Sequence, residues 1–439
     1  MGLNEAPSAG RAHIAFFGRR NAGKSSLVNA VAGQDVAVVS DVKGTTTDPV
    51  RKAMELLPLG PVVLIDTPGA DDEGELGGLR VARARREMNR ADAAVLVAEA
   101  GSPPGAVEED LARIFREKSI PFAVALNKSD LAGVAPGSAE APPPGWDRLG
   151  APVLCVSAKT GGGVEALKEK IAEIASGAES GRRLVADLIR PLDAVLLVVP
   201  IDKAAPKGRL ILPQQQTIRD ILEAGASAVV ARDTELKETL ARMGRRPALV
   251  ATDSQAFARV SAEVPEDIPL TSFSILFARL KGSLEGALRG AAALDRVADG
   301  DKILVCEGCT HHRQCDDIGT VKLPRMVRAF TGAEPEFEFR AGGDFPESLA
   351  GYSLVLHCGA CMLNDREIQY RRRCAEDQSV PFTNYGIAIA KAQGILARSV
   401  AVFPRESGGP AVPAKLETHS RSSEQCLESP KRAPWPPPR

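Results

Sequence analysis

Short apolar runs alternate with longer amphipathic segments along most of the chain, and Gly, Pro, Asn or Asp stand at their boundaries. Apolar runs of about four to eight residues rich in Val, Ile, Leu and Ala are typical of strands buried on both faces, and the segments between them are typical of helices. In the first part of the chain the predicted strands are residues 12–17, 62–65, 122–126 and 153–156. This alternation predicts an α/β fold built on largely parallel sheets.

The alternation restarts after the polar linker 176–181. Its predicted strands are 194–199, 228–231, 248–251 and 270–272, and its predicted helices are 214–224, 234–243, 254–262 and one long helix over 274–289. This segment contains no Cys, no His and no phosphate loop. It therefore fits an assembly or dimerisation domain, and a mere spacer fits the sequence equally well.

Two further apolar strands, 303–306 and 353–357, run directly into Cys and His residues, and the second leads into a predicted helix over 362–377. The expected organisation is a P-loop domain (10–177), a middle α/β domain (183–295), a C-terminal α/β domain (300–403) and a proline-rich tail (404–439) expected to be disordered. Residues 132–150 are expected to form a surface loop, and Cys426 in the tail is expected to be a free thiol.

Charge and hydropathy exclude several classes of protein. The 439 residues carry 55 basic and 56 acidic side chains, which gives no electrostatic reason to expect nucleic acid or an acidic membrane as partner. No apolar run reaches the roughly 18 residues of a membrane span, and no secretory signal is recognisable. The expected location is the cytoplasm, where clustered Cys indicates metal binding rather than disulfides.

The strand at 12–17 is followed at once by a phosphate-binding loop, Gly18-Arg19-Arg20-Asn21-Ala22-Gly23-Lys24-Ser25. In such loops backbone N–H groups close on the α- and β-phosphates, the lysine reaches the β/γ oxygens, and the hydroxyl can ligate Mg²⁺. The nucleotide-contact residues predicted here are Gly18, Asn21, Ala22, Gly23, Lys24, Ser25 and Ser26.

Three more motifs follow in order, each at the end of a predicted strand. Asp66-Thr67-Pro68-Gly69 would sense the γ-phosphate through Mg²⁺ and a backbone amide. Asn127-Lys128-Ser129-Asp130 supplies a carboxylate that can accept two hydrogen bonds from guanine, and Ser157-Ala158-Lys159 would pack on the base. Four ordered motifs predict a GTPase domain, and the choice of guanine rests on Asp130.

The catalytic residues expected for GTP hydrolysis are Lys24, Thr46, Asp66 and Gly69. Thr46 is the favoured Mg²⁺ ligand of the hydroxyl-rich loop 44–48, which could equally be an ordinary polar loop. Ala70 stands where Ras-like enzymes carry the Gln that orients the attacking water, so hydrolysis should be slow unless another group substitutes.

These motifs resemble the GTPase family that includes TrmE and Era. In its potassium-activated members the Asn equivalent to Asn21 helps to hold K⁺ beside the phosphates, so the resemblance implies K⁺-stimulated hydrolysis. Glu73 or Glu75 would then orient water, or would simply be solvated acids of a mobile loop.

Cysteine and histidine concentrate between residues 306 and 361. The candidate ligands are Cys306, Cys309, His311, His312, Cys315, His357, Cys358 and Cys361. Cys306 and Cys309 with Cys358 and Cys361 could close a four-thiolate zinc site. Alternatively, three thiolates would hold an iron–sulfur cluster with one iron open to an exchangeable ligand, or the thiols would be structural only.

The spacing Cys309-Thr310-His311, then 45 residues, then His357-Cys358-Gly359-Ala360-Cys361 is similar to the C-x-H…H-C-x-x-C signature of the HydF family. The resemblance implies a [4Fe-4S] cluster held by Cys309, Cys358 and Cys361, with His311, His357 or an acid as candidate fourth ligand. Cys306 would be a spare thiol or a fourth ligand.

The same resemblance implies a homodimeric scaffold with GTP, Mg²⁺ and K⁺ as cofactors. It would receive a transient diiron subcluster made by the radical-SAM maturases HydE and HydG, and pass it to apo-[FeFe]-hydrogenase. Two other functions remain open from the residues. One is a GTPase acting on RNA or ribosomes with a structural zinc domain. The other is a redox or radical enzyme, although the C-x₃-C-x₂-C run of radical-SAM proteins is absent.

Overall fold

The computed structural model describes residues 10–33, 50–69, 86–138, 143–176, 181–201, 210–308 and 317–404. Three sheets, each built mainly or wholly of parallel strands with helices between them, confirm the predicted α/β fold class. The chain divides into two compact units, Met1–Gly181 with Met362–Tyr370 and Arg182–Cys361 with Arg371–Arg439. In the described ranges no helix has the length and apolar character needed to cross a lipid bilayer.

The first sheet has seven strands in the order β2-β3-β1-β4-β5-β7-β6. The strands are β1 (Ala12–Phe17), β2 (Val50–Leu56), β3 (Gly60–Asp66), β4 (Ala93–Glu99), β5 (Phe122–Asn127), β6 (Gly137–Ser138) and β7 (Val153–Cys155). The helices of this part with both ends described are α1 (Lys24–Ala32), α2 (Ala106–Glu117), α3 (Ser129–Ala132) and α4 (Val164–Ser176), and residues 86–90 are also helical. The edge strands β2 and β6 are antiparallel to their neighbours, and the five inner strands are parallel.

Successive residues of β1 enter opposite cores, because side chains alternate between the two faces of a sheet. Ile14 and Phe16 belong to the core on one face, and Ala15 and Phe17 belong to the core on the other. Since β1 runs parallel to β3 and β4, and β4 runs parallel to β5, their carboxyl ends meet at one edge of the sheet. The phosphate loop and the two following motifs are therefore assembled at that edge.

The second sheet is fully parallel, in the order β11-β10-β8-β9. Its strands are β8 (Ala194–Val199), β9 (Ser227–Arg232), β10 (Leu249–Thr252) and β11 (Leu270–Ser272). Its helices are α5 (Leu212–Glu223), α6 (Leu236–Arg242), α7 (Phe257–Glu263), α8 (Phe273–Leu280) and α9 (Leu284–Ala291).

The single long helix expected over 274–289 is wrong, because α8 and α9 are separated by a turn at Gly282. Gly282 has φ +64° and lies in the left-handed region, where glycine is favoured. The Gly282 N–H donates to the Arg279 carbonyl and the Ser283 N–H to the Ala278 carbonyl, at 2.9 and 2.8 Å. These two bonds form the Schellman motif that ends a helix.

The third sheet is also fully parallel, in the order β13-β12-β14-β15. Its strands are β12 (Lys302–Glu307), β13 (Glu336–Ala341), β14 (Tyr352–His357) and β15 (Phe382–Asn384). Its helices are α10 (Leu323–Thr331), α11 (Asp365–Asp377), α12 (Tyr385–Ala392) and α13 (Leu396–Val400). Cys306 of β12 stands opposite His357 of β14, so the cysteine-bearing ends of both strands meet at one edge.

The segment 132–150 is more than the surface loop that its composition indicated. Trp146 is 1% exposed and belongs to the core of the first unit, and its indole N–H donates to the Ser102 carbonyl at 3.0 Å. Leu149 enters the same core. The predicted tail 404–439 lies, apart from residue 404, outside the described residues.

Candidate functional site

The phosphate loop connects β1 to α1 and depends on glycine at two positions. A Cβ at Gly18 would overlap the Val97 carbonyl, and Gly23 has φ +88° at the start of α1. Lys24 is 7% exposed, and its Nζ donates to the carbonyls of Gly18 and Arg19 at 3.1 and 2.7 Å. The lysine charge is thereby held inside the curve of the loop, where an anionic phosphate would be stabilised.

Ser25 and Asp66 come together at the sheet edge, as a magnesium site requires. The Ser25 hydroxyl donates to Oδ2 of Asp66 at 2.5 Å. Oδ1 of Asp66 is buried and has no hydrogen-bond partner among the described residues. Burial raises the pKa of Asp66 above its ordinary 3.8, while the Ser25 hydrogen bond and the Lys24 and Lys52 charges oppose that rise. An oxygen-liganded divalent cation fits this donor pair.

The remainder of the Asp66 motif is tied to β1. The Thr67 hydroxyl donates to the Phe16 carbonyl at 2.6 Å, and its backbone N–H donates to the same oxygen at 3.3 Å. Gly69 follows at the end of the described segment. Thr46, Ala70, Glu73 and Glu75 lie outside the described residues, so their expected roles stay predictions.

Asn127 joins the phosphate loop to the base-binding loop. It is 2% exposed, its Nδ2 donates to the Ala22 carbonyl at 3.1 Å, and its Oδ1 accepts from the Ala158 N–H at 3.0 Å. Oδ1 of Asp130 accepts from the Ser157 hydroxyl at 2.7 Å. Lys128 lies beside them with φ +62° and pairs with Glu99. The structure thus brings together the residues predicted to read guanine.

Sequence reasoning missed the pair formed by Arg19 and Glu108. Arg19 Nε and Nη2 donate to the two carboxylate oxygens of Glu108 at 2.8 and 2.9 Å, and the Glu108 side chain is 6% exposed. Glu108 also accepts from the Gly105 N–H at the start of α2, at 2.9 Å. Its position three residues after Gly105, in the first turn of a helix, was the available signal. The pair fixes the outer side of the phosphate loop, next to exposed Asn21, whose φ is +64°.

A second candidate site lies at the carboxyl ends of β12 and β14. The Cys358 N–H donates to the Cys306 carbonyl at 2.8 Å, which continues the strand pairing into the cysteine loop. Cys358 Sγ accepts from the N–H groups of Gly308 and Ala360 at 3.0 and 3.4 Å. Ala360 adopts φ +54°, in the left-handed region. Burial raises the pKa of the Cys358 thiol, and these two amide donors oppose that rise because they favour the thiolate form. A sulfur that accepts backbone N–H groups at a sheet edge fits a cluster ligand.

His357, a predicted candidate ligand, is engaged by protein groups through both ring nitrogens. Nδ1 lies 2.9 Å from the Cys358 carbonyl and Nε2 lies 3.0 Å from Nη1 of Arg371. Because a carbonyl only accepts and a guanidinium only donates, the Nδ1–H tautomer satisfies both contacts. Burial lowers the pKa of His357 to about 3, and the Arg371 charge adds to that effect. The imidazole is therefore neutral at physiological pH.

The structure describes only two of the remaining predicted ligands, Cys306 and Cys361. Cys361 is half-buried, whereas Cys306 is 1% exposed and burial raises its pKa to about 12. Cys309, His311, His312 and Cys315 lie outside the described residues. Within the described ranges no group of three or more His, Cys, Asp or Glu side chains forms a metal site. Two of the three predicted cluster cysteines are thus placed, and Arg371 is a neighbour that sequence reasoning missed.

Three family models match the chain. They are the hydrogen maturase F dimerization domain over residues 184–282, the hydrogen maturase F tetramerization domain over 285–402, and the 50S ribosome-binding GTPase over 13–128. The first two cover the second and third sheets, and the third covers most of the first sheet.

Among curated proteins, the chain is 37% identical over 187 residues to the tRNA modification GTPase MnmE of Chromobacterium violaceum, covering 42% of this chain and 39% of that protein. It is 33% identical over 227 residues to MnmE of Thiobacillus denitrificans, covering 51% and 42%. The chain therefore spans less than half the length of these relatives.

Among solved structures, similarity is found to the G domain of the T. maritima FeoB iron transporter, with TM-score 0.30, 28% identity, and coverage of 38% of this chain and 99% of that one. Similarity is also found to Aquifex aeolicus Era bound to GDP and AlF4⁻, with TM-score 0.31, 19% identity, and coverage of 50% and 93%.

Proposed function

The chain belongs to the hydrogen maturase F family, and from that premise we propose that it is a GTP-binding and GTP-hydrolysing scaffold that holds a [4Fe-4S] cluster. Its cargo is a diiron subcluster, received from the radical-SAM maturases HydE and HydG and delivered to apo-[FeFe]-hydrogenase. The observation that carries the proposal is Cys358, whose sulfur accepts two backbone N–H groups at a parallel-sheet edge. A thiolate at such a place is a suitable iron ligand.

Cys309, Cys358 and Cys361 would hold the cluster, which supplies an iron with an exchangeable fourth ligand to which the cargo can attach. Burial raises the pKa of the Cys358 thiol, and the Gly308 and Ala360 N–H groups oppose that rise by donating to the sulfur. His311 remains a candidate fourth ligand, and Cys306 is assigned a structural role because its side chain is buried, whereas Cys358 is half-buried.

In the first unit, Lys24 and the phosphate-loop amides would bind the β- and γ-phosphates. Ser25 and Asp66 would hold Mg²⁺ with Thr46, and Gly69 would contact the γ-phosphate through its amide. Asp130 would select guanine, supported by Asn127, Lys128, Ser157, Ala158 and Lys159. K⁺ beside Asn21 would replace the arginine that other GTPases use, giving slow, K⁺-stimulated turnover.

The proposed organisation is a GTPase domain (10–177), a dimerisation domain (183–295) and a cluster domain (300–403), assembled as a homodimer or a larger even-numbered oligomer. The matching dimerization and tetramerization domain models support self-association. Nucleotide binding at the phosphate loop would act remotely on the cargo centre.

Oxygen-free purification of the full chain, followed by iron, sulfide and zinc analysis, tests the cluster. Cys309→Ser, Cys358→Ser and Cys361→Ser are each expected to lose the iron signal and to keep GTP turnover, and Cys374→Ser is the matched control that keeps both. A zinc-loaded, colourless protein would instead favour the alternative, a GTPase acting on RNA or ribosomes with a structural zinc domain.

Two activity assays test the rest of the proposal. GTP turnover should rise when Na⁺ is replaced by K⁺, and an unchanged rate would remove the role assigned to Asn21. Cluster-loaded protein that has been incubated with HydE and HydG should activate apo-[FeFe]-hydrogenase in vitro, and failure to do so would contradict the carrier function.

A further inference from the structure

Arg371 begins a chain of hydrogen bonds that ends at the Cys358 carbonyl. Its Nη2 donates to the Gly342 carbonyl at 2.6 Å, and its Nη1 donates to Nε2 of His357 at 3.0 Å. His357 in turn donates from Nδ1 to the Cys358 carbonyl at 2.9 Å. These bonds, called here the Arg371 relay, connect α11, the turn after β13 and the end of β14.

Both side chains of the relay are buried. Arg371 is 1% exposed, with its guanidinium 5.3 Å from the centre of the Phe345 ring, and His357 is 0% exposed against the Phe382 ring. A guanidinium is rarely buried, because removing it from water is costly. Its position is therefore tightly specified, and so is the imidazole that it holds.

The relay acts on the peptide that carries the candidate iron ligand. The Cys358 carbonyl is fixed by His357, the Cys358 N–H by the Cys306 carbonyl, and the Cys358 sulfur by the Gly308 N–H. With both peptide groups fixed, the sulfur is held toward its amide donors. Outer residues that orient metal ligands in this way commonly change metal affinity by 10- to 100-fold when they are replaced.

We propose that Arg371 is a positioning residue for Cys358. Its hydrogen bond to His357 keeps the imidazole orienting Cys358 rather than binding iron. The inference rests on the proposed function, since Cys358 is taken as a cluster ligand. Because Nε2 accepts from Arg371 and Nδ1 donates to a carbonyl, neither nitrogen has a lone pair to offer a metal. The fourth iron position is thereby left to an exchangeable ligand.

The first test uses the metal-free full-length chain, so its outcome does not depend on a cluster. Histidine-selective ¹⁵N labelling with long-range ¹H–¹⁵N spectra reports which ring nitrogen of His357 is protonated, and the His357→Asn spectrum assigns its signal. The expected result is the Nδ1–H tautomer in the wild type and in the control Arg373→Gln, which removes an exposed charge from the same helix. Arg371→Met should move the population toward Nε2–H. An Nε2–H tautomer in the wild type would overturn the proposal.

The second test uses the reconstituted protein. Arg371→Met should release iron to a chelator about 10-fold faster than wild type, Arg371→Lys should rescue part of the loss, and Arg373→Gln should match wild type. An unchanged release rate in a folded Arg371→Met variant would contradict the positioning role.

Pulsed EPR on the reduced cluster decides the role of His357. Asn can still donate to the Cys358 carbonyl, so His357→Asn should still bind the cluster, release iron no faster than Arg371→Met, and show the nitrogen couplings of the wild type. A histidine nitrogen coupling that disappears in His357→Asn would make His357 an iron ligand and overturn the inference, while the cluster scaffold itself would stand. If the wild-type protein bound no iron, the proposed function would be wrong. The tautomer measurement would still test whether Arg371 fixes the protonation of His357.

Discussion

The Ser25 hydroxyl donates a hydrogen bond to Oδ2 of Asp66 over 2.5 Å, while Oδ1 of the same carboxylate is buried without a partner among the described residues. A serine oxygen beside a partly desolvated carboxylate is a ligand pair that a small divalent cation can use. The same arrangement makes Asp66 costly to keep ionised in the metal-free protein. The carboxylate that would bind the cation therefore lowers the stability of the metal-free protein.

Asp66→Asn is expected to stabilise the metal-free protein and to abolish Mg²⁺-dependent GTP binding. Because burial raises the folded-state pKa of Asp66, the carboxyl contributes stability below its ordinary pKa of 3.8 and loses that contribution as pH rises through the folded pKa. The gain from Asn should thus be present at pH 7 and absent near pH 3.5. Thermal unfolding at several pH values, with nucleotide titration in Mg²⁺, checks both effects. A variant that is less stable than wild type at pH 7 would contradict the argument.

Asp130→Asn should exchange guanine for xanthine specificity. The Asp130 carboxylate only accepts hydrogen bonds, which matches the two N–H donors of guanine, whereas an amide offers one acceptor and one donor and matches xanthine. Ser157 can still donate to the Asn oxygen, so the loop should stay in place. Competition between GTP and XTP should show a loss of GTP affinity of at least about 100-fold, from loss of a charge-assisted pair of hydrogen bonds. Equal loss of both nucleotides would mean that the substitution had disordered the loop.

The nucleotide site was predictable from sequence because each of its motifs is a short contiguous string at the end of an apolar strand. Parallel pairing then brings Lys24, Asp66 and Asn127 together without further information. The Asn127 contacts to Ala22 and Ala158 were not predictable, since they join loops that are far apart in sequence. Such contacts depend on tertiary packing rather than on local pattern.

The candidate cysteine ligands were recognisable in the sequence, and their role in a cluster site stays a prediction, whereas the neighbouring Arg371 was not predictable. Arg371 carries no motif, yet it follows Ile368 by three residues and precedes Ala375 by four, and both are buried. That spacing puts Arg371 on the buried face of α11. The burial was not predicted because a charged side chain is normally expected to be exposed. The break between α8 and α9 at Gly282 was also missed, because the apolar periodicity continues on both sides of the turn.

Two glycines of α9 should respond differently to the same substitution. A Cβ at Gly290 would overlap the Phe382 backbone, whereas a Cβ at Gly286 would lie 3.2 Å from the flexible Glu376 carboxylate. Gly290→Ala should destabilise by roughly 2 kcal/mol or more, because β15 would have to move. Gly286→Ala should be neutral or stabilising by up to about 1 kcal/mol through helix propensity. Urea unfolding of both variants gives the comparison, and equal destabilisation would contradict the packing of α9 on β15.

Cys306 and Cys361 should differ in reactivity although both border the candidate cluster site. Cys306 is 1% exposed and its pKa is about 12, so its thiol is protonated and inaccessible at neutral pH. Cys361 is half-buried. Iodoacetamide applied to the native metal-free protein, with peptide mapping by mass spectrometry, should modify Cys361 at least about 10-fold faster than Cys306, because only an accessible thiolate reacts. Buried Cys155 is the matched unreactive control. Cys306→Ala should keep its iron, and iron loss as complete as in Cys358→Ser would instead identify Cys306 as a ligand and close the open iron position.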